Sequence, residues 1–320
     1  MLLINLDSRF RGNDEMSASR SSPGRGSGWY QERLHTHFTK KGYAQRFEVV
    51  RTIVAKRTPF QELVIFQTRH FGRVLALDGI IQTTEADEFV YHEMMTHIPM
   101  FAHGRVRDLL IIGAGDGGIL RESLRHKSVR SAVMVEIDGD VVRECARHMP
   151  GLNGGAFKDP RAEVIIGDGI DYVRKSTRKF DAILVDSTDP IGPGEVLFTD
   201  DFYRNCRRIL NKGGLVVTQN GVPFFQPEEV ITTRRRLGAI FKDVTFYYLV
   251  VPTYIGGMMT LAWATDAPGL RRVSLGVLER RFKAAGFKTR YYTPGIHIGA
   301  FELPPFIGYL AAPKSSPREK

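Results

Sequence analysis

Five short apolar runs separated by helix-length spacers constrain this chain more than any other feature. They are Leu109-Leu110-Ile111-Ile112, Ala132-Val133-Met134-Val135, Glu163-Val164-Ile165-Ile166, Ala182-Ile183-Leu184-Val185 and Leu215-Val216-Val217-Thr218. A strand with one face in water alternates apolar and polar side chains. Runs without that alternation are buried on both faces, and with helical spacers between them they predict a parallel sheet covered by helices. Val244–Val251 and Met258–Ala264, after a helix near 227–240, read as an antiparallel pair that closes the sheet.

The region before Asp108 has a different rhythm. Phe47–Val50, Glu62–Phe66 and Arg73–Leu77 are strand-length, and the last ends in the turn pair Asp78-Gly79, so a small antiparallel sheet is expected. A helix should follow, opened by Thr84 with Asp87 three residues on, its apolar face formed by Tyr91, Met94, Met95 and Ile98. Residues 1–28 differ from the rest. Ser17–Gly28 is rich in Ser, Gly and Arg and should be disordered, the apolar start is too short for a signal peptide, and Met16 is a second candidate start.

Composition limits the functional classes. The formal charge of +10 comes from scattered basic residues, with Arg234-Arg235-Arg236 reading as a solvated helix face, so no nucleic-acid partner is expected. The longest uncharged stretch, Val244–Thr265, is broken by Pro252, Gly256 and Gly257, so no membrane span is expected. Cys145 and Cys206 read as small buried apolar residues in a chain kept in the reducing cytoplasm.

The first strand of the parallel set runs into Gly113-Ala114-Gly115-Asp116-Gly117-Gly118 and then a helix. In open α/β sheets the ligand sits outside the carboxyl ends of the strands, where glycines let the backbone approach it. Glu136, at the end of the second strand, stands where an acid takes the hydroxyls of a ribose. The third strand ends in Gly167-Asp168-Gly169, and the fourth in Asp186-Ser187-Thr188-Asp189-Pro190. Acids thus stand at the ends of four consecutive strands: Asp116, Glu136, Asp168 and Asp186. A rim so charged repels a phosphate beside Asp116, which argues against a dinucleotide. It suits a phosphate-free adenosine carrying a cationic group, with a cationic second substrate; spread along the rim, the acids are poorly placed to converge on magnesium.

The runs Leu77–Glu85, Asp87–Met94, Gly113–Gly118 and Asp186–Pro193, with Pro252-Thr253-Tyr254 and Arg290-Tyr291-Tyr292, resemble the signatures of bacterial spermidine synthases, in the family's order and over about Trp29–Phe306. The resemblance implies a Rossmann-like methyltransferase-type domain (95–310) behind a small N-terminal antiparallel β domain (29–94), flanked by disordered tails at 1–28 and 311–320. It also implies a homodimer, and transfer of the aminopropyl group of decarboxylated S-adenosylmethionine to putrescine. The donor is a co-substrate, so no cofactor or metal is implied. Residue by residue, Gln61 and Glu136 are to bind the nucleoside, Asp168 and Gly169 the adenine, and Asp116 the donor's amine. His92, Tyr91, Asp189 and Tyr254 are to line the acceptor channel with Gln219 near, Asp186 is to accept the proton with Tyr91 or a water relaying it, and Pro193 lies in a gate. Ala114 stands where many members carry Gly, which matters little if its φ is negative.

Two other readings use the same scaffold. A methyltransferase shares the sheet and the ribose acid, but must accommodate its donor's carboxylate where this loop carries Asp116. A non-catalytic, nucleic-acid-binding protein has only the net charge in its favour. Cadaverine, agmatine and spermidine compete with putrescine as the amine, and the sequence does not set the channel length. Removal of residues 1–28 is expected to leave folding and turnover unchanged, because that segment cannot bury a core. Comparing unfolding curves and rates of the truncated and full chains checks this.

Overall fold

The computed structural model describes residues 28–33, 42–186 and 199–312. Strands β1 (Gly28–Gln31) and β2 (Arg46–Val49) form an antiparallel pair. Strands β3 (Arg51–Arg57), β4 (Glu62–Gln67), β5 (Arg73–Leu77) and β6 (Ile80–Thr84) form a four-stranded antiparallel sheet in chain order. Alternation gives this small sheet two apolar faces. Leu63, Ile65, Leu75 and Leu77 pack on Cys145, Met149 and Leu152, whereas Val64, Phe66, Val74 and Ala76 pack on Phe47 and Val49. The β5–β6 turn is the expected Asp78-Gly79 pair, both at positive φ (48° and 86°).

Helix α1 (Glu88–His103) leads into a seven-stranded sheet of order β12-β13-β11-β10-β7-β8-β9. The parallel members are β7 (Asp108–Gly113), β8 (Ser131–Glu136), β9 (Ala162–Ile166), β10 (Phe180–Asp186) and β11 (Leu210–Gln219). The hairpin β12 (Asp243–Val250) and β13 (Met258–Thr265) closes it antiparallel, as expected. Helices α2 (Gly118–Leu124), α3 (Gly139–His148), α4 (Pro150–Asn153), α5 (Gly169–Lys175), α6 (Asp200–Arg208) and α7 (Pro227–Gly238) connect the strands, and α8 (Leu275–Ala285), α9 (Pro294–Ala300) and α10 (Pro305–Ala311) follow. Successive residues of β7 serve opposite layers: Leu109 and Ile111 belong to the core beneath α1, Leu110 and Ile112 to the core beneath α6 and α7. That two-sided burial is why the strand runs lack alternation. The chain lays down β7, β8 and β9 in one direction and then returns to place β10 on the other side of β7, so the order reverses between β7 and β10.

Four local expectations are corrected. Thr84 ends β6 and does not cap the helix. Its hydroxyl donates to Asp87 Oδ1 at 2.6 Å, while Asp87 Oδ2 accepts from the amide and hydroxyl of Thr253 at 2.9 and 2.8 Å. Helix α1 is not amphipathic: Glu88, His92, Glu93, Thr96 and His97 are buried along with its apolar side chains. The division expected between residues 94 and 95 falls inside this helix. In the basic run only Arg235 is exposed; Arg234 Nε donates to Ala311 O at 3.0 Å, and Arg236 lies 3.7 Å from Asp200. Both cysteines are free and buried. The tails expected at 1–28 and 311–320 lie outside the described residues except for Gly28, which opens β1, and Ala311 and Ala312, the first of which ends α10.

Glu93 shows how the buried polar face of α1 is satisfied. Its two oxygens accept the amides of Arg290 (2.8 Å), Tyr291 (2.8 Å) and Tyr292 (2.7 Å), which ties the C-terminal segment to the helix. Glu93→Ala orphans three amides and should lower unfolding free energy by about 2–4 kcal/mol, and Glu93→Gln, which keeps one acceptor oxygen, by less. Urea titration of the variants measures both.

Candidate functional site

The loop after β7 is shaped by the side chains that enter it. A Cβ on Gly118 would lie 2.1 Å from the His92 ring, and one on Gly115 would lie 2.9 Å from Glu136 Oε2. These glycines therefore admit a histidine and a carboxylate. Ala114 departs from its expected backbone: its φ is +62°, not negative. An L-residue there carries a strain on the order of 1–2 kcal/mol, so the alanine in place of glycine does matter to the loop.

The four acids occupy successive places along the rim, and their surroundings differ. Asp186 ends β10 in register with Gly113, at the point where strand order reverses and ligands of such sheets bind. Burial, and then the neighbouring charge of Asp116, push its carboxyl up to about 6 against the Tyr91 hydrogen bond and His92. Tyr91 Oη donates to Asp186 Oδ1 at 2.6 Å. Burial also raises Asp116, but the charge and hydrogen bond of His92 outweigh it, with help from the Gly118 amide and Arg121, and hold it below its usual range. His92 Nε2 is 3.2 Å from Asp116 Oδ2, and its Nδ1 is 2.6 Å from Glu88 Oε2. Although burial lowers the imidazole, these two carboxylates carry it up to about 10. Glu136 is pushed up to about 7, first by burial and then by the charges of Asp138 and Asp186, against hydrogen bonds from the amides of Asp138 and Gly115. Asp168 is exposed and caps α5 through the Ile170 amide.

Every described candidate lines one cavity between the small sheet and the rim of the large one. Gln61 comes from the small sheet's β3–β4 turn and donates to Asp138 Oδ2 at 3.0 Å. Tyr254 Oη donates to Gln82 O at 2.6 Å, its segment held by the Asp87–Thr253 bonds. Gln219 enters from the end of β11 and Gly169 from the start of α5. Asp189 and Pro193 lie outside the described residues. His92 is 2% exposed and stands behind Asp116 more than in an open channel. Residues not anticipated from the sequence are Glu88 behind His92, Asp138, and Glu32, which lines the cavity and accepts the Ile81 amide at 2.9 Å. Asp138 had a signal, an Asp at the cap of the helix after Glu136. Glu32 had none.

Comparison with known proteins places this geometry in a family. Residues 88–273 match the Spermine/spermidine synthase domain, and residues 28–85 the Spermidine synthase tetramerisation domain. The chain is 55% identical over 278 residues to polyamine aminopropyltransferase 1 of Pseudomonas aeruginosa, covering 87% of this chain and 96% of that protein. It is 50% identical over 279 residues to the polyamine aminopropyltransferase of Yersinia pestis, covering 87% and 92%. A crystal structure of spermidine synthase in complex with the transition state analogue AdoDATO superposes with a TM-score of 0.84 at 34% identity, covering 92% of this chain and 98% of that one. The spermidine synthase of Thermotoga maritima gives 0.80 at 33%, covering 88% and 94%. The chain belongs to the spermine/spermidine synthase family. It is an aminopropyl-transferring transferase, and the methyltransferase alternative is set aside.

The raised acids have a consequence for stability. Between the ordinary value of Glu136 near 4.5 and its folded value of about 7, the folded chain holds a proton that the unfolded chain releases. Stability from this group is full below the ordinary value and is lost as pH rises through the folded one. Glu136→Gln should therefore gain on the parent by about 1–3 kcal/mol between pH 5 and pH 8 without ligand. Urea unfolding of both proteins at the two pH values tests the sign.

Proposed function

We propose that the cavity binds decarboxylated S-adenosylmethionine and putrescine, and that Asp186 takes the proton from the attacking amine. The observation that carries this reading is a carboxylate pushed up to about 6 and held 2.6 Å from Tyr91 Oη, where strand order reverses, beside a second acid, Asp116. The amine lone pair attacks the propyl carbon bonded to the sulfonium. The C–N bond forms as the C–S bond breaks, and its electron pair stays on sulfur, leaving neutral methylthioadenosine. The sulfonium is its own leaving group, so the reaction calls for no metal or covalent intermediate.

Removing the proton is the harder step. An aliphatic ammonium ionises near 10, and an ordinary Asp near 3.9 is a poor base for it. With Asp186 at about 6 the gap is about four units, roughly 5 kcal/mol, and the neighbouring carboxylates widen it by stabilising the ammonium, so Asp186 takes the proton only as the C–N bond forms. Burial first, then the charge of Asp186, pushes the Tyr91 phenol far up, so Tyr91 orients Asp186 as a donor and does not act as the base. In this reading Glu136 and Gln61 take the ribose, and Asp168 and Gly169 take the adenine beside apolar Ile137 and Ile170. Asp116 takes the donor's amine. Tyr254, Gln219 and Asp189 serve the acceptor, with Pro193 in the gate. We also propose that the N-terminal sheets join copies of the chain as a homodimer; the tetramerisation domain matched over 28–85 supports self-association. Two free buried cysteines suit a reducing cytoplasm.

Incubation with the decarboxylated donor and each of putrescine, cadaverine, agmatine and spermidine, read by product mass, tests the reading; putrescine should give the fastest turnover. Asp186→Asn should lower turnover by roughly 10² to 10⁴ fold and abolish the fall of kcat/KM below about pH 6. Near-normal turnover in this variant would remove Asp186 from the mechanism.

A further inference from the structure

The roles above do not use Glu88 and Arg121, the ion pair behind His92 and Asp116. Both ring nitrogens of His92 face carboxylates, Glu88 Oε2 at 2.6 Å and Asp116 Oδ2 at 3.2 Å, at a site with almost no solvent. A neutral imidazole has one N–H and one lone pair, so it would turn a lone pair against one of the two carboxylates. Only the doubly protonated ring satisfies both. Glu88 Oε2 also accepts from Arg121 Nη2 at 2.8 Å, and Arg121 Nη1 is fixed on the carbonyls of Gly151 (3.0 Å) and Leu152 (2.7 Å). Charge thus alternates inward from the cavity through Asp116, His92, Glu88 and Arg121. Asp116 Oδ1 accepts the Gly118 amide at 2.7 Å, so both oxygens of this carboxylate are held by the protein.

We propose that Glu88, itself held by Arg121, is a positioning residue for the reaction: it keeps His92 doubly protonated, and the imidazolium fixes the orientation of Asp116 and offsets part of its charge beside Asp186. The proposal rests on the aminopropyl-transfer reading, in which Asp116 faces the donor. Glu88 is not among the residues lining the cavity, so it acts only through His92. The groups facing His92 are Glu88 on its own helix, Asp116 on the loop, Asp186 at the end of β10, and the edge of the Tyr91 ring, centred 5.9 Å away; Arg121 lies one step beyond Glu88. With Glu88 neutralised, Arg121 keeps Glu122 as its partner at 2.9 Å, and His92 is left with Asp116 as its one carboxylate at hydrogen-bond distance. His92 then sheds its Nδ1 proton and keeps the one on Asp116. Asp116 and Asp186 repel without the offset, and Asp186 holds its proton to higher pH.

The experiment combines the intact enzyme with Glu88→Gln and Glu88→Asp. In the parent, the imidazole signals of His92 in nitrogen-15 spectra, assigned by their loss in His92→Asn, should stay those of the doubly protonated ring from pH 5 to pH 8.5. In Glu88→Gln they should titrate within that range. The acidic limb of kcat/KM should move up by about one unit, which is about fivefold lower kcat/KM at pH 6, approaching tenfold below it, and a difference that narrows toward pH 9. Glu88→Asp keeps the charge and should restore the limb. A folded Glu88→Gln enzyme with an unmoved limb overturns the proposal. So does a His92 that is neutral at pH 7 in the parent, a result that does not depend on Glu88→Gln folding. If the parent turned over no donor and amine at all, the aminopropyl-transfer reading would fall instead, while the His92 signals still report on the ring.

Discussion

The carboxyl ends of the parallel strands bring Asp186, Asp116, Glu136 and Asp168 to one rim, and the rest of the site follows from how their mutual repulsion is handled. Each is handled differently. Asp168 stays in water and caps a helix. Asp116 is compensated by His92. Glu136 and Asp186 have no cation paired with them among the described residues and hold protons to about 7 and about 6. A cationic donor and amine supply the charge the protein withholds, so the cavity is electrostatically incomplete until its substrates enter. Such a site is bought with stability, because carboxyls that resist ionisation oppose folding at neutral pH.

Helix α1 makes the arrangement possible. It is buried almost all round, packed on the large sheet and on α2 and α8, and several of its polar residues have a task. Tyr91 reaches Asp186, His92 reaches Asp116, and Glu93 holds the amides of residues 290–292. Asp87, just ahead of the helix, anchors Thr253 and with it the segment that carries Tyr254.

The parallel sheet was legible because two-sided burial leaves a direct mark, apolar runs without alternation. The rim acids were legible because strand ends can be read from the same runs. What stayed hidden depends on partners distant in sequence. The φ of Ala114 is set by the packing of the loop around Glu136 and His92, and nothing in the local sequence gives its sign. Thr84 looked like a cap because it sits three residues before an acid, yet that acid is claimed by Thr253. Glu88 reads as an ordinary first-turn acid until Arg121 is seen beside it, and no periodicity links those two positions. Tyr91 and His92 were selected by family resemblance; the residue pattern alone marks Tyr91 as core and His92 as unremarkable.

The compensation of Asp116 also changes the account of how the site distinguishes its donor. An isolated carboxylate about 4 Å from the donor's ammonium contributes about 4 kcal/mol at an effective dielectric of 20. Asp116 is not isolated, because His92 stands 3.2 Å behind it. With an opposite charge about 7 Å from the ammonium, about 2 kcal/mol remains, roughly thirtyfold in affinity. The ordinary donor's extra carboxylate meets the same pair from outside, nearest to its negative end, and Asp186 adds repulsion once ionised. In the aminopropyl-transfer reading proposed above, preference for a decarboxylated donor belongs to Asp116 and Asp186 together. His92 gives up part of the attraction and in return fixes where the remaining charge points, which favours geometry over strength of binding in a reaction whose barrier depends on in-line approach.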